Sequence, residues 1–85
     1  MDIITRLINK YGKPAQVLQA IEEMTELEKE LLKNINRGQN NRKEILEEYV
    51  DVLFMLEQIK EIYSLRDEEI EQQYVLKMEK VKEYL

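Results

Sequence analysis

Two pairs of acidic residues, three positions apart within each pair, are the side chains of this 85-residue sequence best suited to chemistry. They are Glu23 with Glu26 and Glu48 with Asp51. Residues three positions apart lie on one face of an α-helix, where like charges repel each other. Asp51 stands inside an apolar segment, with no Lys or Arg within one helical turn. Because an unpaired buried carboxylate costs several kcal/mol, the pattern predicts a neutralising cation, of which a metal ion is the simplest.

The composition limits which cation and which reaction are possible. The sequence contains no Cys and no His, which excludes thiol nucleophiles, imidazole catalysis and zinc sites built from these residues. Two glycines are too few for a phosphate-binding glycine loop. If the two acidic pairs face each other on antiparallel helices, four hard oxygen ligands would favour Mg²⁺ or Mn²⁺. The alternative is a pair of acidic helices that bind no metal.

Charge and hydropathy restrict the partners. Thirteen basic and 18 acidic residues give a net charge of −5, and no basic stripe that would indicate nucleic-acid binding is present. No apolar segment reaches the roughly 20 residues that span a membrane, and no signal peptide follows Met1. We therefore expect a soluble cytoplasmic protein that binds neither nucleic acid nor membrane.

Apolar residues recur at helical spacing along the whole chain, and nothing alternates as in a strand. The sequence predicts an all-α fold, a small antiparallel bundle of about four helices that forms a single domain over residues 1–85. Gly12 and Pro14 mark the first boundary between helices and Gly38 the second. The predicted helices are Asp2–Tyr11, Pro14–Ile35, Arg42–Tyr63 and Asp67–Tyr84.

The middle helices carry the acidic pairs and determine how they are presented. On the second helix the predicted packing face contains Val17, Met24, Leu31 and Ile35. The third helix is apolar around most of its circumference, with a central stripe that includes Tyr49, Val52 and Leu56. A helix of this kind in so small a chain indicates contact with partner subunits. We therefore expect a homo-oligomer, a dimer or a tetramer, that completes the core and the active site.

The acidic segments resemble a known family. Glu22-Glu23-Met24-Thr25-Glu26-Leu27, followed by Glu47-Glu48-Tyr49-Val50-Asp51-Val52, is similar to the motifs Glu-Glu-x-x-Glu and Glu-x-x-Asp of the MazG-like all-α nucleoside triphosphate pyrophosphohydrolases. The resemblance extends over nearly the whole chain, with Gln16, Lys33, Arg37-Gly38 and Lys77-Met78 in positions similar to those of small bacterial and phage members.

This resemblance implies a Mg²⁺-dependent enzyme that cleaves a nucleoside triphosphate between its α and β phosphates. Glu23, Glu26, Glu48 and Asp51 would be the catalytic metal ligands, and Glu22 and Glu47 would support them or bind a further metal. Four basic residues would neutralise the substrate phosphates: Lys77, Lys33, Arg37 and Lys80. Gln16 and Tyr74 would contact the base.

Two features separate the chain from larger relatives. It has no Trp and one Phe, so a base-stacking pocket would use Tyr or come from a partner subunit. It also lacks the Tyr-His pair of the related phosphoribosyl-ATP pyrophosphohydrolases, which argues against a role in histidine biosynthesis. The alternative functions are a helical assembly or regulatory protein without turnover and a nucleotide sensor that binds Mg²⁺ and substrate.

Overall fold

A computed structural model describes residues 1–85 as four α-helices without a strand. The all-α fold is confirmed, and every predicted helix is present with its ends within three residues of the prediction. The helices are α1 (Ile3–Tyr11), α2 (Lys13–Arg37), α3 (Arg42–Ile62) and α4 (Asp67–Lys82).

The helix boundaries follow from a few residues with special backbone preferences. The Asp2 carboxylate accepts a hydrogen bond from the Thr5 backbone N–H at 2.8 Å and caps α1. Gly12, at φ 91°, separates α1 from α2, and Pro14 occupies the first turn of α2. Gly38 ends α2 in the left-handed conformation, at φ 63°, which glycine adopts without steric cost.

Helices α2 and α3 form an antiparallel pair, and α1 packs against both. Gln16 near the start of α2 contacts Gln58 near the end of α3. Asn41, just before α3, contacts Glu30 in the second half of α2. This antiparallel arrangement is the one in which acidic residues of α2 and α3 could face each other, and it brings Glu23 of α2 opposite Glu48 and Asp51 of α3.

The face of α2 that packs on α3 differs from the prediction. It contains Gln16, Ala20, Glu23, Leu27 and Glu30, all buried or half-buried, and is rotated by roughly a quarter of a turn from the predicted stripe. Met24, Leu31 and Ile35 of the predicted stripe are exposed instead. Helix α2 has more apolar residues than one neighbouring helix can cover, so most of them lie outside its contact with α3.

Helix α3 has two apolar faces, of which only one is packed within the chain. The packed face carries Ile45, Val52, Met55, Ile59 and Ile62, which are buried or half-buried. The outward face of α3, defined here as Leu46, Tyr49, Leu53 and Leu56, is exposed.

Helix α4 contains no buried residue and packs on no other helix of the chain; its one link to α3 is an ion pair between Lys60 and Asp67, at its first residue. Its apolar stripe, formed by Ile70, Tyr74, Met78 and Val81, is exposed. The bundle within one chain therefore consists of α1, α2 and α3, with α4 as a projecting arm. None of the four helices combines the length and apolar character needed to cross a membrane.

Candidate metal centre

Three carboxylates converge in the groove between α2 and α3. One oxygen from each of Glu23, Glu48 and Asp51 lies within 4.8 Å of the other two. Glu23 and Glu48 are half-buried, whereas Asp51 is exposed at the edge of the groove. Because α2 and α3 run antiparallel, side chains far apart in the sequence meet at one point halfway along the pair. We call these three residues the carboxylate cluster.

Glu48 is the centre of this cluster. Its Oε2 atom is buried and accepts no hydrogen bond. Loss of hydration raises the pKa of Glu48 above the ordinary value of 4.5, and the charges of Asp51, Glu23, Glu26 and Glu30 raise it further. A buried carboxylate oxygen without a donor, among four other acids, is an environment that a bound cation would stabilise.

The predicted fourth ligand, Glu26, lies outside the cluster. Its carboxylate is half-exposed and forms an ion pair with Lys29 at 3.3 Å. Its negative charge still contributes to raising the pKa of Glu48. Glu23 accepts a hydrogen bond from the Gln19 side-chain amide at 2.9 Å, which orients one of its oxygens from the preceding turn of α2.

The carboxylate cluster fits a hard divalent cation. Two oxygens bound to one Mg²⁺ at about 2.1 Å are at most roughly 4.2 Å apart. Small side-chain rotations would bring the three oxygens, now within 4.8 Å of one another, to this separation. Three carboxylates on one side of an ion leave further coordination positions free for water or phosphate oxygens. The donor set, with no nitrogen or sulfur, favours Mg²⁺ or Mn²⁺ over zinc or copper.

The groove is closed toward the α2–α3 loop by Asn41. Its side-chain amide donates to the backbone carbonyl of Glu30 at 2.8 Å and to the Glu30 carboxylate at 2.7 Å. The Glu30 carboxylate also pairs with Lys33 at 3.1 Å. The Asn41 hydrogen bond and then that of Lys33 lower the pKa of Glu30. These contacts hold the Glu30 carboxylate in its charged form at this end of the groove. The Oδ1 atom of Asn41 is buried and accepts no hydrogen bond.

The opposite end of the groove contains a buried amide pair. Gln16 donates to the side-chain oxygen of Gln58 at 2.6 Å, and the two residues are 8% and 1% exposed. Gln16 lies seven residues before Glu23, roughly 10 Å along α2. The residue predicted to contact the base therefore lies in the same groove as the cluster, but is covered within one chain.

The predicted phosphate-binding residues lie outside the cluster. Lys33 is ten residues, or roughly 15 Å along the helix, beyond Glu23 and is paired with Glu30. Arg37 is exposed in the last turn of α2, beside Lys33 and Lys29 on a shallow surface. Lys77 and Lys80, and with them Tyr74 of the predicted base site, belong to α4, which packs on neither α2 nor α3. They are therefore not part of the carboxylate cluster within one chain.

The acids predicted to support the ligands, Glu22 and Glu47, are exposed and are not members of the carboxylate cluster. Their positions next to Glu23 and Glu48 direct their side chains away from the groove, because neighbouring residues of a helix point about 100° apart. The structure thus brings together three of the predicted site residues.

Sequence reasoning missed three polar residues that define the groove. Gln58, Asn41 and Gln19 contact Gln16, Glu30 and Glu23, respectively. Gln58 is seven residues after Asp51 and therefore on the same helix face, which is a usable signal. Asn41 directly precedes the predicted third helix, where Asn is a common N-cap, but nothing in the sequence indicates its contact with Glu30.

The comparisons with known proteins identify no relative. No protein-family model matches the chain, and neither a curated protein nor a solved structure matches it.

Proposed function

We propose that this protein is a Mg²⁺-dependent nucleoside triphosphate pyrophosphohydrolase, which hydrolyses an NTP or dNTP to a nucleoside monophosphate and pyrophosphate. The observation that carries the proposal is the carboxylate cluster with its buried, donor-free oxygen on Glu48. The order and spacing of the acidic motifs, which resemble those of the MazG-like enzymes, support the same assignment. Housekeeping of the nucleotide pool is the corresponding role.

Glu23, Glu48 and Asp51 would hold the cation. When bound, a divalent cation screens the triphosphate charge and lowers the pKa of a coordinated water. The chain's own residues have a different task. The Asn41 and Lys33 contacts hold Glu30 in its charged form, and the Gln19 amide orients Glu23. These contacts keep the acidic groove in shape before the ligand arrives, when repulsion among its carboxylates is greatest.

Substrate binding would require basic residues that one chain does not bring to the cluster. Lys33 and Arg37 lie at one end of α2, and Lys77 and Lys80 lie on α4. A homo-oligomer, dimeric or tetrameric, would supply them from a second copy. The proposed enzyme is therefore an assembly of identical chains.

Pyrophosphate release from a panel of NTPs and dNTPs, with Mg²⁺ or Mn²⁺, tests the proposal. We expect turnover by the wild type and its loss in Asp51→Asn and Glu48→Gln. Glu57→Gln is the matched control, because Glu57 is exposed on α3 and does not belong to the cluster. Circular dichroism verifies that each variant is folded. Wild-type protein that neither turns over any nucleotide nor binds Mg²⁺ contradicts the proposal.

One observation favours a second candidate, a helical assembly or nucleotide-sensing protein without turnover. Helix α4 and the outward face of α3 expose apolar side chains that the proposed metal site does not use. This candidate predicts self-association that is unchanged in Asp51→Asn and no pyrophosphate release with any nucleotide. A sensor would in addition bind Mg²⁺ and a nucleotide.

A further inference from the structure

The accessible surface of one chain is larger than that of a compact monomer of its mass. Its accessible surface is 7227 Å², whereas a compact monomer of 10.3 kDa has roughly 5,350 Å². Its radius of gyration is 15.8 Å, against roughly 12 Å for a compact chain of this length. The excess area, roughly 1,900 Å², matches the 1,000–2,500 Å² or so that each chain buries in an obligate homodimer.

Helix α4 contributes to this excess, because none of its residues is buried. A helix of 16 residues that packs on nothing is only marginally stable in water, yet the turn before α4 is well defined. Ser64 adopts φ 52°, and the backbone N–H groups of Ser64 and Leu65 donate to the carbonyls of Glu61 and Lys60. This pair of bonds is the Schellman arrangement that ends a helix.

Two ion pairs lie at the start of α4. Lys60 of α3 pairs with Asp67, the first residue of α4. Arg66 pairs with Glu69, whose carboxylate also accepts the Arg66 backbone N–H at 3.0 Å. The turn therefore directs α4 away from its own bundle and presents Ile70, Tyr74, Met78 and Val81 on one open face.

The outward face of α3 has the spacing of a helix-packing seam. Leu46, Tyr49, Leu53 and Leu56 follow one another at intervals of three, four and three residues, which places them in one stripe suited to a neighbouring helix. All four are exposed. No helix of the same chain covers this stripe, because α1 and α2 occupy the other side of α3.

We propose that α4 packs on the outward face of α3 in a second copy of this chain, so that two copies exchange their fourth helices. A two-fold axis would pair each α4 with the α3 of the other chain and bury both apolar stripes at once. The occupant is a second copy, because the excess area falls within the range that each chain buries in an obligate homodimer and both complementary stripes are present on one chain. The interface does not depend on the proposed enzymatic activity.

Sedimentation equilibrium of the wild type, Met78→Glu and Gln72→Glu tests this interface. The wild type should have at least twice the chain mass of 10.3 kDa. Met78→Glu should weaken self-association roughly thirtyfold or more, because it places a charge in the centre of the interface. Gln72→Glu adds the same charge on the opposite side of α4 and should associate like the wild type. A monomeric wild type, or a Met78→Glu variant that associates normally, overturns the proposal.

Cross-linking identifies the contact even if Met78→Glu does not fold. The chain has no Cys, so Tyr74→Cys in one copy and Leu53→Cys in a second, larger tagged copy introduce the only thiols. A short bifunctional thiol reagent added to the mixture should join the two different chains. Gln72→Cys replaces Tyr74→Cys as the control and should give little product. Equal yields from the two, or no product from either, contradict an exchanged α4.

Discussion

The groove between α2 and α3 and the projecting helix α4 distribute polar and apolar residues in opposite ways. The groove is packed within one chain, yet it contains a carboxylate cluster and the buried pair of Gln16 and Gln58. Helix α4 is largely apolar on one face, yet it packs on nothing. Half of the six buried residues in the chain are polar, whereas buried positions are ordinarily apolar. This difference underlies both proposals: contacts inside one chain would shape a metal site, and the apolar surface would serve association.

The largest expected effect is the loss of activity when a single residue of the groove, Asp51, is changed. Asp51→Asn should lower pyrophosphate release by roughly a hundredfold or more, because it removes the charge of one of the three proposed ligands. Self-association should be unchanged, since Asp51 does not belong to either apolar stripe.

Steady-state kinetics and sedimentation on the same Asp51→Asn sample measure both properties. If Asp51→Asn dissociates the assembly, the assignment of separate roles to the groove and to α4 is wrong. If it dissociates nothing and retains full activity, the role assigned to the cluster is wrong.

The next effect compares a buried amide with an exposed one. Gln58→Ala should destabilise the fold by about 1–3 kcal/mol, because Gln16 is left buried without its partner. Gln72→Ala, the same substitution on α4, should change the free energy of unfolding by less than about 0.5 kcal/mol. Chemical denaturation of both variants measures the difference. Equal effects would show that the amide pair is not part of the stabilising core.

The acidic groove also predicts how metal-free stability depends on pH. Because burial and neighbouring charges raise the folded-state pKa of Glu48 above 4.5, the folded protein holds more protons than the unfolded chain just above that value. Its free energy of unfolding should therefore decrease as the pH rises through the interval from 4.5 to the folded-state pKa.

Melting temperatures of the wild type, Glu48→Gln and Glu57→Gln across this interval test that dependence. Glu48→Gln should lose the decrease attributable to this carboxyl group, whereas Glu57→Gln should keep it. Mg²⁺ added near neutral pH should raise the melting temperature of the wild type by binding the folded state. Identical profiles for Glu48→Gln and the wild type contradict the assigned environment.

The smallest effect concerns the turn that directs α4. Ser64 has φ 52°, which costs an ordinary residue more than it costs glycine. Ser64→Gly should raise the free energy of unfolding by about 0.5 kcal/mol, since relief of this strain exceeds the added chain entropy. Gly38→Ala should lower it by about 1 kcal/mol at φ 63°. Denaturation midpoints measure both, and a destabilised Ser64→Gly variant would contradict the strain.

Most of the fold was predictable from local signals. Asp2, Gly12 with Pro14, and Gly38 mark the helix ends because their backbone preferences act within a few residues. The packing face of α2 was not predictable in the same way. The sequence places more apolar residues on α2 than one neighbour can cover, and which of them turn inward depends on the contact with α3.

The site was predictable in part for a related reason. Spacing identified Glu23, Glu48 and Asp51 because helical periodicity fixes which side chains share a face. Glu26 forms an ion pair with Lys29 instead of joining them. This pairing depends on the side-chain rotamers of both residues, which sequence spacing does not determine. Asn41 and Gln58 act across the groove, so their roles follow only from the register of α2 against α3.

Calorimetric titration of the metal-free protein with Mg²⁺ and Mn²⁺ tests the central claim most directly, because it examines the carboxylate cluster without assuming a substrate. The wild type and Glu57→Gln should show one saturable binding event, and Asp51→Asn and Glu48→Gln should lose it. Binding that persists in both cluster variants, or is absent from the wild type, would contradict a metal site between α2 and α3.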